Sequence, residues 1–404
     1  MPARSPLSCL LLLTLAGGCV HVGARPPQKR IDMPELAVLG DLELSKLNAE
    51  ELFARGSSAF GANDFEKAAR LFDRLADAFP ESHHHRIALY NGGLSHERLS
   101  QFEQARERFL PLADPEKGTG DALDATFRLA ETDYHLALYG EAVEMLKKVW
   151  ARTNLPLNTR LEALVQQGIC ELEWGQSDTA EVTLRRALET YQNATDKDEA
   201  EDYFPAQAQF FLGEIYRLHF ESVKLDPNKG TDKLTEDLEL KAELLLSAQG
   251  HYLRSIRIGN GYWATAAGAQ IGGLYENLYA HMMQTGAPKE LNAEEAEVYQ
   301  QEVRRKIRVL LTKAISVYES TLEAAERIGS SGPFVEKARG SLKKMKDLLL
   351  AEAQRETDLS SSESEPEPEK AAKPGRTPTP PAKASRRRPP HSALNRGSTS
   401  LRRG

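Results

Sequence analysis

A chain of 404 residues would ordinarily hold two or three globular domains, and its three cysteines are too few for a fold held together by several disulfides. The net charge of −7 is unevenly spread, because residues 370–404 hold ten Lys or Arg residues and no acid. Strand signals are scarce and apolar residues recur with helical periodicity along most of the chain. The sequence therefore predicts an all-α protein with an acidic body and a basic end.

Residues 1–18 have the pattern of a targeting segment. One basic residue, Arg4, precedes the apolar run Leu10–Leu15, which is far shorter than the roughly 20 residues that a membrane-spanning helix needs. The small residues before Cys19 resemble the lipobox of bacterial lipoproteins, which implies that Cys19 becomes the acylated first residue. Val20 then implies sorting to the outer membrane, facing the periplasm. An ordinary signal peptide followed by a chance cysteine is the alternative.

The first folded element is expected after a flexible tether at residues 19–47, which contains two adjacent prolines. Residues 48–82 have the pattern of a helical hairpin. Asn48 and Asn63 each have a glutamate three residues later, which predicts a capping box at the start of both helices. Pro80 ends the second helix because proline has no backbone N–H.

A spacing within this hairpin recurs along the chain. Gly56 is followed twelve residues later by Ala68 and four residues after that by Phe72. The small–small–large spacing returns every 37 or 38 residues at Gly93–Ala105–Phe109, Ala130–Ala142–Leu146 and Gly168–Ala180–Leu184. This array resembles the tetratricopeptide repeat (TPR) family, which implies a solenoid of helical hairpins, a right-handed superhelix with units one to four at 48–191. Pro111 should end the second helix of unit two early.

Residues 192–350 are predicted to hold two further units, with insertions, and a closing helix. Gly213 lies in the first helix of unit five. Its hairpin turn is expected to be polar and irregular over Lys224–Glu239, with the second helix resuming at Leu240. Tyr252, four residues after Ala248, restores the repeat spacing.

Unit six is marked by Gly272 in its first helix. A capping box at Asn292 and Glu295 predicts a long helix that runs towards Ile328, followed by a polar closing helix at Ser331–Leu350.

Residues 351–404 are predicted to be a disordered tail, acidic at first and then basic, because low hydrophobicity and dense charge cannot offset the ordering entropy. The basic part, 370–404, is expected to touch anionic surfaces of the envelope or an acidic partner. A solvated tail without a target is the alternative. Nucleic acid is not an expected partner, because the signal peptide removes the chain from it.

No catalytic motif was found: the sequence lacks G-x-S-x-G, the P-loop and G-x-G-x-x-G. His83–His85 is the only histidine cluster, and without a nearby cysteine or a spaced second pair a solvated loop is favoured over a metal site. His96 and Glu97 begin like a zinc-protease motif, but Ser100 replaces the second histidine. Cys170 is predicted to be a buried, inert thiol. We therefore predict a non-enzyme without metal or cofactor.

In TPR arrays the inner surface is lined by the second, fifth, ninth and twelfth residues of each first helix. The resemblance thus implies a mostly aromatic stripe of partner-binding residues: Phe53, Phe60, Tyr90, Leu94, Phe127, Tyr134, Val165, Ile169 and Phe210. Packing between neighbouring units is the alternative role of each side chain. The Lys and Asn residues with which some TPR domains grip a carboxyl terminus are missing from the fifth and ninth positions. No carboxylate clamp is therefore expected.

These features predict a non-catalytic scaffold that binds protein partners in a bacterial envelope complex. The segment Leu244–Ile328 resembles TPR proteins of gliding bacteria, including gliding-motility lipoproteins. Units one and two resemble the TPR modules of lipoproteins that act in outer-membrane barrel assembly or cell-wall coordination, which is the alternative. Recruitment of a cell-wall hydrolase is a third interpretation.

Overall fold

The computed structural model describes residues 43–195 and 201–362, with side chains through residue 355. These ranges contain thirteen α-helices and no strand, which confirms the predicted all-α class. The helices are α1 Ala49–Gly61, α2 Phe65–Ala78, α3 His85–Arg98, α4 Phe102–Phe109, α5 Asp121–His135, α6 Tyr139–Trp150, α7 Leu157–Glu173, α8 Ser177–Gln192, α9 Tyr203–Ser222, α10 Thr231–Ile258, α11 Gly261–Gln284, α12 Ala293–Ile328 and α13 Pro333–Ser362. From α1 to α12 each helix packs against the next one along the chain, as in a solenoid of TPR-type hairpins.

The first hairpin shows how the local sequence sets the helix ends. Asn48 and Glu51 form the predicted capping box, with the Glu51 N–H donating to Asn48 Oδ1 at 2.9 Å and the Asn48 N–H to Glu51 Oε2 at 3.1 Å. The predicted cap of the second helix is wrong by one residue, because Asp64 accepts from the Lys67 N–H at 3.2 Å. Asn63 instead occupies the hairpin turn with a φ of 61°.

The left-handed turn conformation recurs in the first four units at Asn63, Ser100, Ala137 and Gly175, with φ between 57° and 83°. Only one of these residues is glycine, although glycine adopts this conformation without strain. Asparagine also tolerates it, so the hairpin geometry imposes the turn conformation on Ser100 and Ala137, which do not favour it.

Close packing inside each hairpin explains the repeated spacing. A Cβ on Gly56 would lie 2.8 Å from the Phe72 ring, and one on Gly93 would lie 2.6 Å from the Phe109 ring. Leu184 covers Gly168 in the same way. In unit three Ala130 faces the smaller Leu146, and both are buried in one hydrophobic cluster. The small residue of each first helix is therefore matched to the size of the side chain opposite.

The hairpin of unit five differs from its prediction. A short 3₁₀ helix, Pro227–Lys229, is followed directly by α10, so the second helix begins at Thr231 and not at Leu240. The polar segment is helical because Leu234 is buried on its inward face and the Lys241 ammonium, also buried, donates to the Phe220 and Val223 carbonyls. Further along, Tyr252 covers Gly213, as the spacing predicted.

Unit six preserves the same contact across a longer insertion. The capping box at Asn292 begins α12, as predicted, and the helix ends at Ile328. Tyr318 of this helix covers Gly272, and the neighbouring Thr321 covers Gly268. The repeat spacing does not predict the Tyr318 contact, because the distance from Gly272 is stretched far beyond that of the first four units.

Some predicted boundaries shift and others lie outside the described residues. Leu44 and Leu47 pack against the first hydrophobic cluster, so packed structure begins before residue 48 and the predicted tether ends earlier. Helix α13 continues to Ser362, beyond the predicted start of the tail at 351, because this stretch is rich in helix-forming Ala, Glu and Gln. The signal segment at 1–18, Cys19, residues 20–42 and the tail from 363 onward lie outside the described ranges. No described helix is long and apolar enough to cross a membrane.

Gly93→Ala should lower the free energy of unfolding by about 1–2 kcal/mol, although alanine normally favours a helix, because the new methyl group overlaps the Phe109 ring. Adding Phe109→Leu recreates the Ala130–Leu146 pair of unit three. The double variant should therefore lose less stability than the sum of the losses in the two single variants. Urea unfolding of the four proteins measures this coupling. Gly61→Ala is the control, since no atom lies within 4 Å of the added Cβ. Strict additivity would contradict the matched-pair interpretation.

Candidate functional site: the inner surface

The candidate site is the inner surface, which we define as the surface formed by the first helices of the units, α1, α3, α5, α7, α9 and α11. Helix α7 contacts both α5 and α9, and α9 contacts α11, so the first helices of units three to six lie side by side. Side chains from successive units can therefore act on one bound segment.

The predicted aromatic stripe lies partly in the core. Seven of its members are half-buried: Phe53, Phe60, Tyr90, Leu94, Phe127, Tyr134 and Ile169. Val165 and Phe210 have exposed fractions of only 1% and 4%, and they pack within hydrophobic clusters. Because buried side chains offer no surface to a partner, these two residues do not belong to the inner surface.

The half-buried rings make packing contacts within and between units. Tyr90 meets the Phe109 ring edge-on at 5.8 Å, and Tyr134 meets the Tyr139 ring at the same distance. Phe53 is stacked on His84 at 4.1 Å. Each of these rings is therefore partly used in packing and partly exposed, and its role in partner binding stays a prediction.

A charged group that the sequence analysis did not identify lies on the same surface. Arg128 of α5 lies 3.7 Å from a Glu97 carboxylate oxygen and 3.2 Å from one of Glu131. Asp124, Glu162 and Glu201 are close enough to act electrostatically on this region. We call these five carboxylates (Glu97, Asp124, Glu131, Glu162 and Glu201) the acidic patch. Arg128 lies among them and Arg98 also acts on Glu97, so the five carboxylates outnumber the two arginines.

Two members of the acidic patch have strongly perturbed acidity. Burial raises the pKa of Glu97 to about 7, against the opposing effect of Arg128, and Glu131 raises it further. Burial also raises the pKa of Glu162 to about 7, against the opposing effect of Arg128, with contributions from Asp124, Glu131 and Glu201. Both groups are therefore partly protonated near neutral pH, and an incoming cation would favour their ionised forms.

The later units present a polar pocket of about 380 Å³ between α9, α11 and α13. Its floor is a hydrogen-bonded network around the buried Glu214 carboxylate, which accepts from the Gln270 amide at 2.6 Å and from Arg217 at 2.7 Å. Lys344 pairs with Glu276 at 2.6 Å across the pocket. Because the charges here pair with one another, the network holds the three helices together and leaves few charged groups for a ligand.

An apolar cleft of about 460 Å³ lies between α10, α11 and the first half of α12. Aliphatic and aromatic side chains, including Leu238, Met282 and Tyr299, line it. Arg305 stands at its edge but is paired with Glu302 at 2.7 Å. The cleft exists because α10 and α12 are both longer than the helices of a regular unit.

The other residues considered in the sequence have structural roles. Cys170 is buried, and burial raises the pKa of its thiol to about 12, which removes its nucleophilic character. His96 is held between Asp73 at 3.0 Å and Gln101 at 2.8 Å, so it joins two hairpins and is not part of a protease motif. An all-α array with such side chains is typical of a non-catalytic scaffold.

Comparisons with known proteins agree with the repeat pattern at its start. A family model described as tetratricopeptide repeat matches residues 52–82, which span most of the first hairpin. No curated protein sequence matches the chain.

Among solved structures the chain is similar to a kinesin-light-chain protein with TPR-like repeats from Podosopora anserina, at 14% identity over 48% of this chain and 93% of that chain, with a TM-score of 0.35. It is similar to the apo form of RapI at 12% identity over 76% of this chain and 100% of that chain, with a TM-score of 0.42. A TPR repeats protein from Bacteroides fragilis matches at 12% identity over 75% of this chain and 98% of that chain, with a TM-score of 0.29.

The acidic patch predicts a pH dependence of stability. The pKa of Glu97 and Glu162 is higher in the folded state than in the unfolded state, because folding disfavours their ionisation. The free energy of unfolding therefore falls as the pH rises from about 4.5 through about 7. The double variant Glu97→Gln, Glu162→Gln should therefore be stabilised at pH 8 relative to pH 5, by up to roughly 2–3 kcal/mol per residue. Thermal unfolding at both pH values measures the gain.

Glu144→Gln is the matched control. A hydrogen bond from Lys147 lowers the pKa of Glu144, so the stability that this carboxylate contributes is lost only below the unfolded value of 4.5, and its removal should change stability about equally at pH 5 and pH 8. Equal responses of the double variant and this control would contradict the assignment.

Proposed function

We propose that the protein is a non-catalytic scaffold whose inner surface binds a basic or amphipathic segment of a partner protein in a bacterial envelope complex. The acidic patch is the observation that carries this proposal. It joins carboxylates from units two, three and four and from the start of unit five on one surface, with Arg128 as a nearby cation.

The physical basis is charge complementarity beside accessible rings. A partner lysine or arginine near Glu97 or Glu162 would favour their ionised forms, so binding would be linked to proton release near neutral pH. Tyr90 and Tyr134 lie in the first helices of units two and three and are half-buried, so part of each side chain is exposed. Aromatic side chains are enriched among interface hot spots, so the rings supply apolar contacts next to the charges.

The cellular setting follows from the N-terminal sequence. Acyl chains on Cys19 would hold the array at the outer membrane on its periplasmic side, and the basic tail would add contacts with anionic surfaces. The resemblance of Leu244–Ile328 to gliding-motility lipoproteins favours the motility machinery as the complex. Barrel-assembly proteins or cell-wall enzymes among its partners would favour the alternative functions.

Replacement of the acylated cysteine tests the anchor. Cys19→Ser should leave an unlipidated precursor that no longer fractionates with the outer membrane, because each buried CH₂ of the acyl chains contributes about 0.8 kcal/mol to anchoring. Membrane fractionation with metabolic labelling by a radioactive fatty acid measures both effects. A variant that still fractionates with the outer membrane would rule out the lipid anchor.

Charge reversal tests the inner surface. Glu131→Lys should abolish co-purification of the partner after cross-linking in cells, because it makes the acidic patch less negative next to Arg128. Glu189→Lys on α8 is the matched control: it changes the net charge equally at another exposed glutamate and should retain the partner. Both substitutions are at exposed sites and should shift stability by about 0.5 kcal/mol or less. Equal retention of partner by the two variants would place binding elsewhere.

A further inference from the structure

Three side chains that could ligate a metal converge where the first two units meet. Glu50 lies in the first turn of α1, whereas His83 and His84 lie in the connection between α2 and α3. The Nε2 atom of His84 is 2.8 Å from Glu50 Oε2, and the Nε2 atom of His83 is 3.5 Å from Glu50 Oε1. One ligand atom from each residue lies within 4.8 Å of the other two. The fold thus adds a carboxylate to a histidine pair that the sequence placed in a solvated loop.

The arrangement around His84 is already fixed. Its ring is stacked on Phe53 with an interplanar angle of 8°, and its side chain is only 16% exposed. Its backbone N–H donates to the Ser82 hydroxyl at 3.2 Å. Glu50 follows the capping residue Asn48, so its backbone is held by the start of α1. The side chains of His83 and Glu50, which are 74% and 67% exposed, would have to be ordered on binding.

We propose that Glu50, His83 and His84 bind a Zn²⁺ ion with water in the fourth position. Zn²⁺ binds imidazole nitrogen and carboxylate oxygen at about 2.0–2.2 Å in tetrahedral sites, which places neighbouring ligand atoms about 3.3 Å apart. The two imidazole nitrogens lie 2.8 and 3.5 Å from different oxygens of Glu50, and one ligand atom from each residue lies within 4.8 Å of the other two, so side-chain rotations would bring the three ligand atoms to the tetrahedral spacing. Mg²⁺ and Ca²⁺ prefer oxygen ligands and would not compete.

The site would join the first helix of unit one to the first helix of unit two. Its ligands come from the N-terminus of α1 and from the residues just before α3, segments that the unfolded chain does not hold together. Bound Zn²⁺ therefore favours the folded state, and the stabilisation grows with the metal concentration above the dissociation constant.

Calorimetric titration of the purified full-length chain, free of any polyhistidine tag, with ZnCl₂ tests the proposal. We expect one Zn²⁺ per chain and an increase in melting temperature, with neither effect from MgCl₂. Glu50→Gln and His84→Ala should each weaken Zn²⁺ binding at least about tenfold. Glu50→Gln replaces an exposed side chain with one of the same shape and should leave the fold intact. It therefore tests the site even if His84→Ala disturbs the fold.

Two controls distinguish Zn²⁺ binding at this site from the general affinity of adjacent histidines for Zn²⁺. His85→Ala removes the third histidine of the run, which lies outside the three-residue group, and should bind Zn²⁺ as tightly as the unchanged protein. His135→Ala removes a ring that is stacked on Phe102 at 4.2 Å, much as His84 is stacked on Phe53, and should also bind normally. The proposal is overturned if Glu50→Gln binds as tightly as the unchanged protein, or if His85→Ala weakens binding as much as His84→Ala.

Discussion

The close approach of two helices at a small residue is the constraint on which the array depends. Where Gly56 meets the Phe72 ring, a single Cβ would lie 2.8 Å from the ring and would push the hairpin apart. The pairing of Gly213 with Tyr252 and of Gly272 with Tyr318 preserves this contact in the last two units. Since every hairpin packs on the next, a substitution that changes the size of one paired residue would alter the position of the following units.

Insertions between the paired residues change what the later units can offer. Their second helices, α10 and α12, are 28 and 36 residues long and extend beyond the packed contact, which opens the apolar cleft between them. The first four units have short helices and instead carry charges on the inner surface, around Arg128. The same contact between helices therefore supports a charged inner surface in the first four units and an apolar cleft in the last two.

Local features could be predicted from the sequence, and long-range ones could not. Helix starts such as Asn48 and the ring over Gly93 follow from spacings of a few residues or of one unit, so periodicity shows them. The start of α10 was missed because its outward face is polar, although Leu234 faces the core. The contacts of Arg128 with Glu97, and of Glu50 with His84, join separate units, and side chains on solvated faces carry no periodic signal.

The stretched spacing also affects the order in which the hairpins can form. Phe72 follows Gly56 by sixteen residues, whereas Tyr318 follows Gly272 by forty-six, so closing the last loop costs about 1 kcal/mol more chain entropy. Contacts between residues close in sequence form sooner than distant ones. The early hairpins are therefore the natural nucleus, and the long-loop units assemble on a surface that the first four have already built.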